Sequence, residues 1–269
     1  ALYVVTLISI PVALASMLPD DLENFGESVV ATTLFANNVL LWMTSGYFDL
    51  ASEFKPLLHT WSLGIEEQYY VLFPLLLYGL FRHARRFIGP AFLMLALASF
   101  GIAEWWSHSY ASAAFYLLPA RIWELLVGAL SAWWLFHGGC APARWERLAP
   151  ALSAFGLTLI AFAVFFFDKT TPFPGAFALV PTAGTALIIL FAGPRNLVGR
   201  ALGSTLPVGI GLISYSAYLW HQPLLAFLRI GSLDEPSTMT YLIAVLATLA
   251  LAATTWRYVE QPCRDTRRF

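Results

Sequence analysis

Eight long apolar stretches, joined by connections that alternate between basic and acidic or neutral, limit this chain to a helical bundle threaded through a membrane. The stretches are Leu2–Leu18, Leu63–Phe81, Phe87–Trp106, Ala114–Phe136, Leu148–Phe167, Phe177–Ala192, Val208–Ile230 and Met239–Tyr258. Each is near the ~20 residues that a helix needs to cross the hydrocarbon layer. Basic residues gather at Arg82, Arg85 and Arg86, at Arg144 and Arg147, at Arg195 and Arg200, and at Arg257, Arg264, Arg267 and Arg268. The remaining connections, Asp20–Glu23, Trp106–Ala113, Asp168–Pro174 and Gly231–Pro236, are acidic or nearly neutral. Short cytoplasmic loops carry the excess of Lys and Arg, so the basic clusters belong inside and the others outside.

That alternation decides one ambiguous segment. Ser28–Met43 is apolar but interrupted by Thr32, Thr33, Asn37 and Asn38. If it crossed, the Arg82–Arg86 cluster would fall outside, so Ser28–Trp61 reads as one outer excursion holding a re-entrant or interfacial helix, tolerated at membrane depth where protein covers it. The expected fold is an all-α polytopic transmembrane bundle of about eight spanning helices, forming one integral-membrane domain with no appended soluble domain. At 59% hydrophobic and 12% charged residues, with a net charge of −1, the composition agrees and offers no basic surface for nucleic acid. Cys140 and Cys263 are too far apart to form a CxxC pair and are expected as free thiols. The chain enters its first apolar stretch at Ala1 with no initiator Met or basic leader, and is read as part of a longer chain.

Against this background the run from His59 to Tyr70, HTWSLGIEEQYY, is costly. An ionisable group inside a bilayer costs roughly 2.5–3.5 kcal/mol on insertion scales, so such groups face a bundle interior or a wet cavity and mark a site. Ser62, Glu66, Tyr69 and Phe73 share one helical face, while Glu67 and Tyr70 point to a neighbouring one. A purely structural reading is that Ser62 caps the helix and the two carboxylates complement its dipole. His59 and Gln68 beside them favour a site, with Glu66 the residue whose loss should be most damaging. Arg121 and Glu124 lie three apart in another apolar stretch and either pair with each other or bind a ligand. A third group, YSAYLWHQP, supplies Tyr215, Tyr218, Trp220, His221 and Gln222 ahead of Pro223, which removes a helix hydrogen bond. By helix rise, Glu66 and Glu67 lie about 5–8 Å, Arg121 and Glu124 about 10–15 Å and His221 about 13 Å below the outer ends of their helices. These depths suggest one polar layer. No HExxH, Cys/His ligand spacing, P-loop, GxGxxG or GxSxG is present, so no metal site is expected.

Four motifs together, YFDLASEFKPLLHTWSLGIEEQYYVLFPLLL, RIWELLVGALSAW, YSAYLWHQPLL and WRYVEQPCRD, resemble the membrane-bound acyltransferase family 3, which contains bacterial O-antigen and peptidoglycan O-acetylases. The resemblance implies a ten-helix enzyme of the bacterial inner membrane that binds no resident cofactor. It takes an acyl group, usually acetyl, from cytoplasmic acyl-CoA and places it on a hydroxyl of a cell-surface carbohydrate or glycolipid. It also implies that two N-terminal helices, with the family's catalytic histidine, lie upstream of Ala1. Glu66, Glu67 and His59 are then expected to support catalysis by orienting that histidine. Ser62, Gln68, Tyr69, Arg121, Glu124, Tyr215, Trp220 and His221 are expected to bind substrate or the developing oxyanion. A transporter or flippase using the same groups as a proton or substrate site is the competing class, for which an internal repeat would speak; none is visible.

Overall fold

The computed structural model describes residues 1–44, 52–138, 143–168, 171–232 and 234–264. Tyr47–Ala51 of the first motif, Cys140, Arg267 and Arg268 lie outside the described residues. The described residues are helical, with no strand among them: α1 (Leu2–Ser16), α2 (Pro19–Thr33), α3 (Asn37–Thr44), α4 (Thr60–His83), α5 (Ile88–Ser109), α6 (Ala111–Tyr116), α7 (Leu118–Phe136), α8 (Ala143–Phe166), α9 (Leu179–Phe191), α10 (Leu197–Leu202), α11 (Thr205–Ile230), α12 (Thr238–Thr255) and α13 (Gln261–Arg264). This is the expected polytopic helical membrane bundle. Four helical runs among the described residues are both long and apolar enough to cross a membrane: Arg85–Ser109, Ala111–Phe136, Trp145–Phe166 and Thr238–Arg264. Of the other expected crossings, α4 and α11 have the length, at 24 and 26 residues, but carry more polar groups. Helices α1 and α9, at 15 and 13 residues, are shorter than a full crossing.

The chain divides into two compact units, Ala1–Gly64 with Val208–Phe269, and Ile65–Pro207. In the first, Leu2 and Val5 of α1 pack with Leu63, Leu219 and Trp220, while Ala13, Phe25 and Leu57 form a second apolar cluster. The segment expected as a single re-entrant or interfacial helix is instead two helices, α2 and α3, meeting at a sharp corner. Pro19 and the acidic residues Asp20 and Asp21 start α2, as the orphan N–H groups and positive dipole end of a helix favour. The corner turns on Phe35, whose φ of 54° lies in the left-handed region.

The polar residues that interrupt this segment hold the corner in place. The Thr32 and Thr60 hydroxyls are 2.9 Å apart, and Asn37 Nδ2 donates to the Leu57 carbonyl at 3.0 Å and to Thr60 Oγ1 at 2.7 Å. All three side chains are buried, so each bond replaces water that burial removed. Gly64 permits the approach: a Cβ there would lie 2.7 Å from Asn38 Oδ1 and 3.0 Å from the Phe35 carbonyl oxygen.

In the second unit, Phe92, Ala96 and Ala103 of α5 pack against Ala120, Trp123 and Leu126 of α7. Ser99 locks the pair: its hydroxyl donates to the Pro119 carbonyl at 2.7 Å and accepts from the Trp123 N–H at 3.1 Å. It thereby bridges one step of the α7 backbone ladder. Helices α8 and α9 meet at Gly156 and Gly184, where a Cβ on either would lie 2.7 Å from the other's carbonyl oxygen. Small residues at such a crossing allow the close backbone contact that drives helix association in lipid.

Candidate active site

In the first unit, the turn before α4 and the middle of α11 bring His59, Ser62, Tyr218 and His221 together. Backbone bonds from Leu58 to the Lys55 carbonyl and from Thr60 to the Leu57 carbonyl form the turn, placing His59 one residue before α4. On α11, Tyr218 and His221 are three apart and share a face. The His59 ring stands edge-on to both, with centroids 5.2 Å from Tyr218 and 5.4 Å from His221.

The hydrogen bonds assign donor roles. A carbonyl oxygen only accepts, so the Tyr218 O–H donates to the His59 carbonyl. The Ser62 hydroxyl, 2.7 Å from the Tyr218 oxygen, therefore donates to it. His221 Nδ1 is 2.6 Å from the Tyr218 carbonyl, so that nitrogen carries a proton, and in the neutral form of the ring Nε2 carries the lone pair. Gln222 Nε2 donates to the Lys55 carbonyl at 3.0 Å, tying α11 to the same turn.

His59 is the anomaly in this cluster. Its side chain is only 5% exposed, and neither ring nitrogen makes a hydrogen bond. Burial, helped by the neighbouring His221, pushes its pKa down to about 3, against a smaller upward pull from the Pro56 carbonyl. The ring is therefore neutral at physiological pH; the Pro56 carbonyl is near it but outside hydrogen-bond geometry, and neither nitrogen has a well-formed partner. Buried polar groups are normally paired, and an exception is a reason to look for function. A group that supplies both a donor and an acceptor, such as an alcohol, complements a neutral imidazole.

The other expected site residues fall into three settings. Trp220 points away from the cluster into the apolar core, its indole N–H satisfied by Thr255 Oγ1 at 2.9 Å, because one residue along a helix turns the side chain by about 100°. Tyr215 is on an exposed part of α11. Glu66, Glu67, Gln68 and Tyr69 belong to the second unit; the first three are half-buried, and Tyr69 is buried and stacked on Phe73 at 4.8 Å. Ser62 does not cap α4, which begins at Thr60; its hydroxyl serves Tyr218. Arg121 and Glu124 pair at 2.7 Å, and the guanidinium lies 5.6 Å from the Phe115 ring centre and 5.9 Å from that of Phe173.

One residue escaped the sequence reading as an individual candidate. Glu260 closes a π-helical turn, Trp256–Glu260, and is 6% exposed. One carboxylate oxygen accepts from the buried Ser216 hydroxyl; the other has no hydrogen bond and lies 3.6 Å from Arg264. Single π turns within helices are rare and concentrate at functional sites. The available signal was an acidic residue directly after an apolar span in WRYVEQPC, though the π turn itself cannot be read from sequence.

Residues 4–257 match the model of the acyltransferase domain family, and the chain belongs to that family. It is thus a multi-pass helical membrane protein of an acyltransferase family. Among curated relatives, it is 26% identical over 257 residues to O-acetyltransferase OatA of Staphylococcus aureus (strain NCTC 8325 / PS 47), covering 91% of this chain and 42% of that protein. It is 26% identical over 261 residues to peptidoglycan O-acetyltransferase OatA of Listeria monocytogenes serovar 1/2a, covering 91% and 41%. A putative peptidoglycan O-acetyltransferase, YrhL of Bacillus subtilis (strain 168), is 25% identical over 250 residues, covering 89% and 39%. The chain therefore spans about two-fifths of the length of these relatives. No solved structure matches it.

Proposed function

We propose that this chain is the membrane part of an O-acyltransferase that moves an acetyl group from acyl-CoA to a hydroxyl of a cell-envelope carbohydrate, in the bacterial inner membrane. Family membership and relatives named for peptidoglycan O-acetylation support the class of reaction. The observation that carries it in this chain is the buried, neutral, unpartnered His59 beside His221 and the Ser62–Tyr218 hydroxyl chain.

A sugar hydroxyl is a poor nucleophile until its proton is taken, and a positioned base contributes typically 10²–10⁴-fold. With Nδ1–H held by the Tyr218 carbonyl, His221 presents Nε2 as the accepting atom. The hydroxyl oxygen attacks the thioester carbonyl, the C–S bond breaks, and the CoA sulfur leaves with the proton that the base took up. Glu66 and Glu67 remain proposed catalytic supports, and Gln68, Tyr69, Arg121 and Glu124 remain proposed contributors to substrate binding.

The test supplies labelled acetyl-CoA and envelope glycan to membranes holding the protein, alone and within its full-length chain. Acetylated glycan is expected from the full-length chain and not from this segment alone, and His221→Ala in the full-length chain should lower the rate by about 10²-fold or more at unchanged protein abundance. Near-normal transfer in His221→Ala refutes the assigned base, and movement of unmodified glycan without acetylation refutes the enzyme.

A further inference from the structure

Residues 53–59 of the first unit, which lead into α4, are short turns rather than a regular helix. Every second carbonyl along them takes a side-chain donor from elsewhere in the unit. Arg229 Nη1 lies 3.5 Å from the Glu53 carbonyl, the longest of the four contacts. Gln222 Nε2 donates to the Lys55 carbonyl at 3.0 Å, Asn37 Nδ2 to the Leu57 carbonyl at 3.0 Å, and the Tyr218 O–H to the His59 carbonyl. Three of these donors belong to α11, where positions 218, 222 and 229 fall within about 40° of one another around the helix. The segment therefore runs antiparallel along one face of α11, and the fourth donor reaches it from α3.

These donors do more than satisfy buried carbonyls. Lys55 and Leu57 already accept from the Leu58 and Thr60 N–H groups within the turn, so the added side chains chiefly fix where the turn lies. The ring that the segment carries is treated in the opposite way. His59 has no well-formed partner on either nitrogen and stands 5.4 Å from the His221 ring. With no bond of its own to orient it, the imidazole takes its place from packing and from the backbone beneath it.

We infer that Gln222 is a positioning residue: opposite Asn37, it clamps the turn that carries His59 and so holds the His59 ring against His221. The effect on catalysis rests on the acyl-transfer reading, whereas the clamp itself does not.

The test uses the detergent-solubilised full-length protein. Gln222→Met removes the donor at similar side-chain volume and leaves the Lys55 carbonyl its Leu58 partner, so the turn loosens with no stranded group. Diethyl pyrocarbonate acylates accessible neutral imidazole, and peptide mass spectrometry reads the modification at each histidine. His59 should be protected in the wild type and label about fivefold faster in Gln222→Met, the equivalent of one hydrogen bond of about 1 kcal/mol. His108, with a side chain 60% exposed in the second unit, should label equally in both. Thr255→Val removes a different bond to α11, that of the Trp220 indole, and should leave His59 protected. Gln222→Met should also lower kcat for acetyl transfer about tenfold with KM for acetyl-CoA unchanged, since a misplacement of about 1 Å can cost up to 10²-fold. Unchanged His59 labelling in Gln222→Met, or equal labelling in Thr255→Val, overturns the clamp. A freed His59 with unchanged kcat overturns its part in the reaction. Should the wild type make no acetylated glycan, the enzymatic reading fails and the labelling still decides whether Gln222 positions His59.

Discussion

The neutral, unpartnered His59 makes unfolding depend on pH in a calculable way. Its folded pKa is about 3 because the ring is buried beside His221, whereas an unfolded histidine titrates near its ordinary value of 6.5. Above about pH 6.5 neither state binds a proton here, and His59 contributes no pH dependence. As pH falls from about 6.5 toward 3, the unfolded chain takes up a proton that the folded chain refuses. Stability is then lost at a limiting slope of about 1.4 kcal/mol per pH unit. Between pH 6 and pH 5 the loss approaches that slope, at a little over 1 kcal/mol by the same linkage relation. The perturbation is His59→Gln, which keeps a polar side chain of similar reach without a titrating ring. The assay is reversible denaturant unfolding of the detergent-solubilised protein and the variant at pH 7.5, 6 and 5, read as the difference between their slopes. Carboxylates and the other histidines titrate in both proteins and cancel. The wild type should lose about 1 kcal/mol more than the variant between pH 6 and 5, with no difference in slope above pH 7. Parallel pH profiles would refute a buried neutral His59.

Two further substitutions test the surroundings of that residue. Gly64→Ala should destabilise the protein by about 1–3 kcal/mol in the same unfolding assay, because the new methyl would sit 2.7 Å from Asn38 Oδ1 and 3.0 Å from the Phe35 carbonyl; a neutral effect would mean that the α2–α3 corner does not press on α4. Tyr218→Phe deletes the hydroxyl that serves the His59 carbonyl and accepts from Ser62, and should cost about 1–3 kcal/mol. Adding Ser62→Ala to it should recover part of that loss, since one stranded donor disappears, and a strictly additive pair would argue against the hydroxyl chain.

The legible parts of this protein are those controlled by local composition. Helical class and membrane setting follow from apolar stretches near the length of a crossing, and the break in Ser28–Met43 is signalled by Thr32 and Asn37. Its form was not legible. The segment looked like one shallow helix, whereas the structure bends it at Phe35 and uses those polar residues as buried links to Leu57 and Thr60. The difference lies in partners about 20 to 28 positions away, which no helical periodicity encodes. His59, Ser62 and His221 were visible as polar residues out of place, while the actual links, the Tyr218 hydroxyl and the Tyr218 carbonyl, depend on the rotation of α11. Glu260 was read only as part of a motif, because a π turn and a carboxylate buried against Ser216 leave no distinct local signal.

What the sequence by itself determined is the solvent in which the protein folds and the residue types that are too costly to place there without purpose. Burial of long apolar stretches and the expense of intramembrane charge are properties of side chains one at a time, so they are written in composition and order. The tertiary structure alone decided which of those costly groups meet. It placed His59 against His221 and Tyr218 with both ring nitrogens unmatched, sent the adjacent Trp220 into the core, and closed Arg121 on Glu124. Such outcomes depend on helix rotation and packing between residues more than 150 positions apart, as Ser62 and Tyr218 are. Those are relations between elements, and no single stretch of chain contains them.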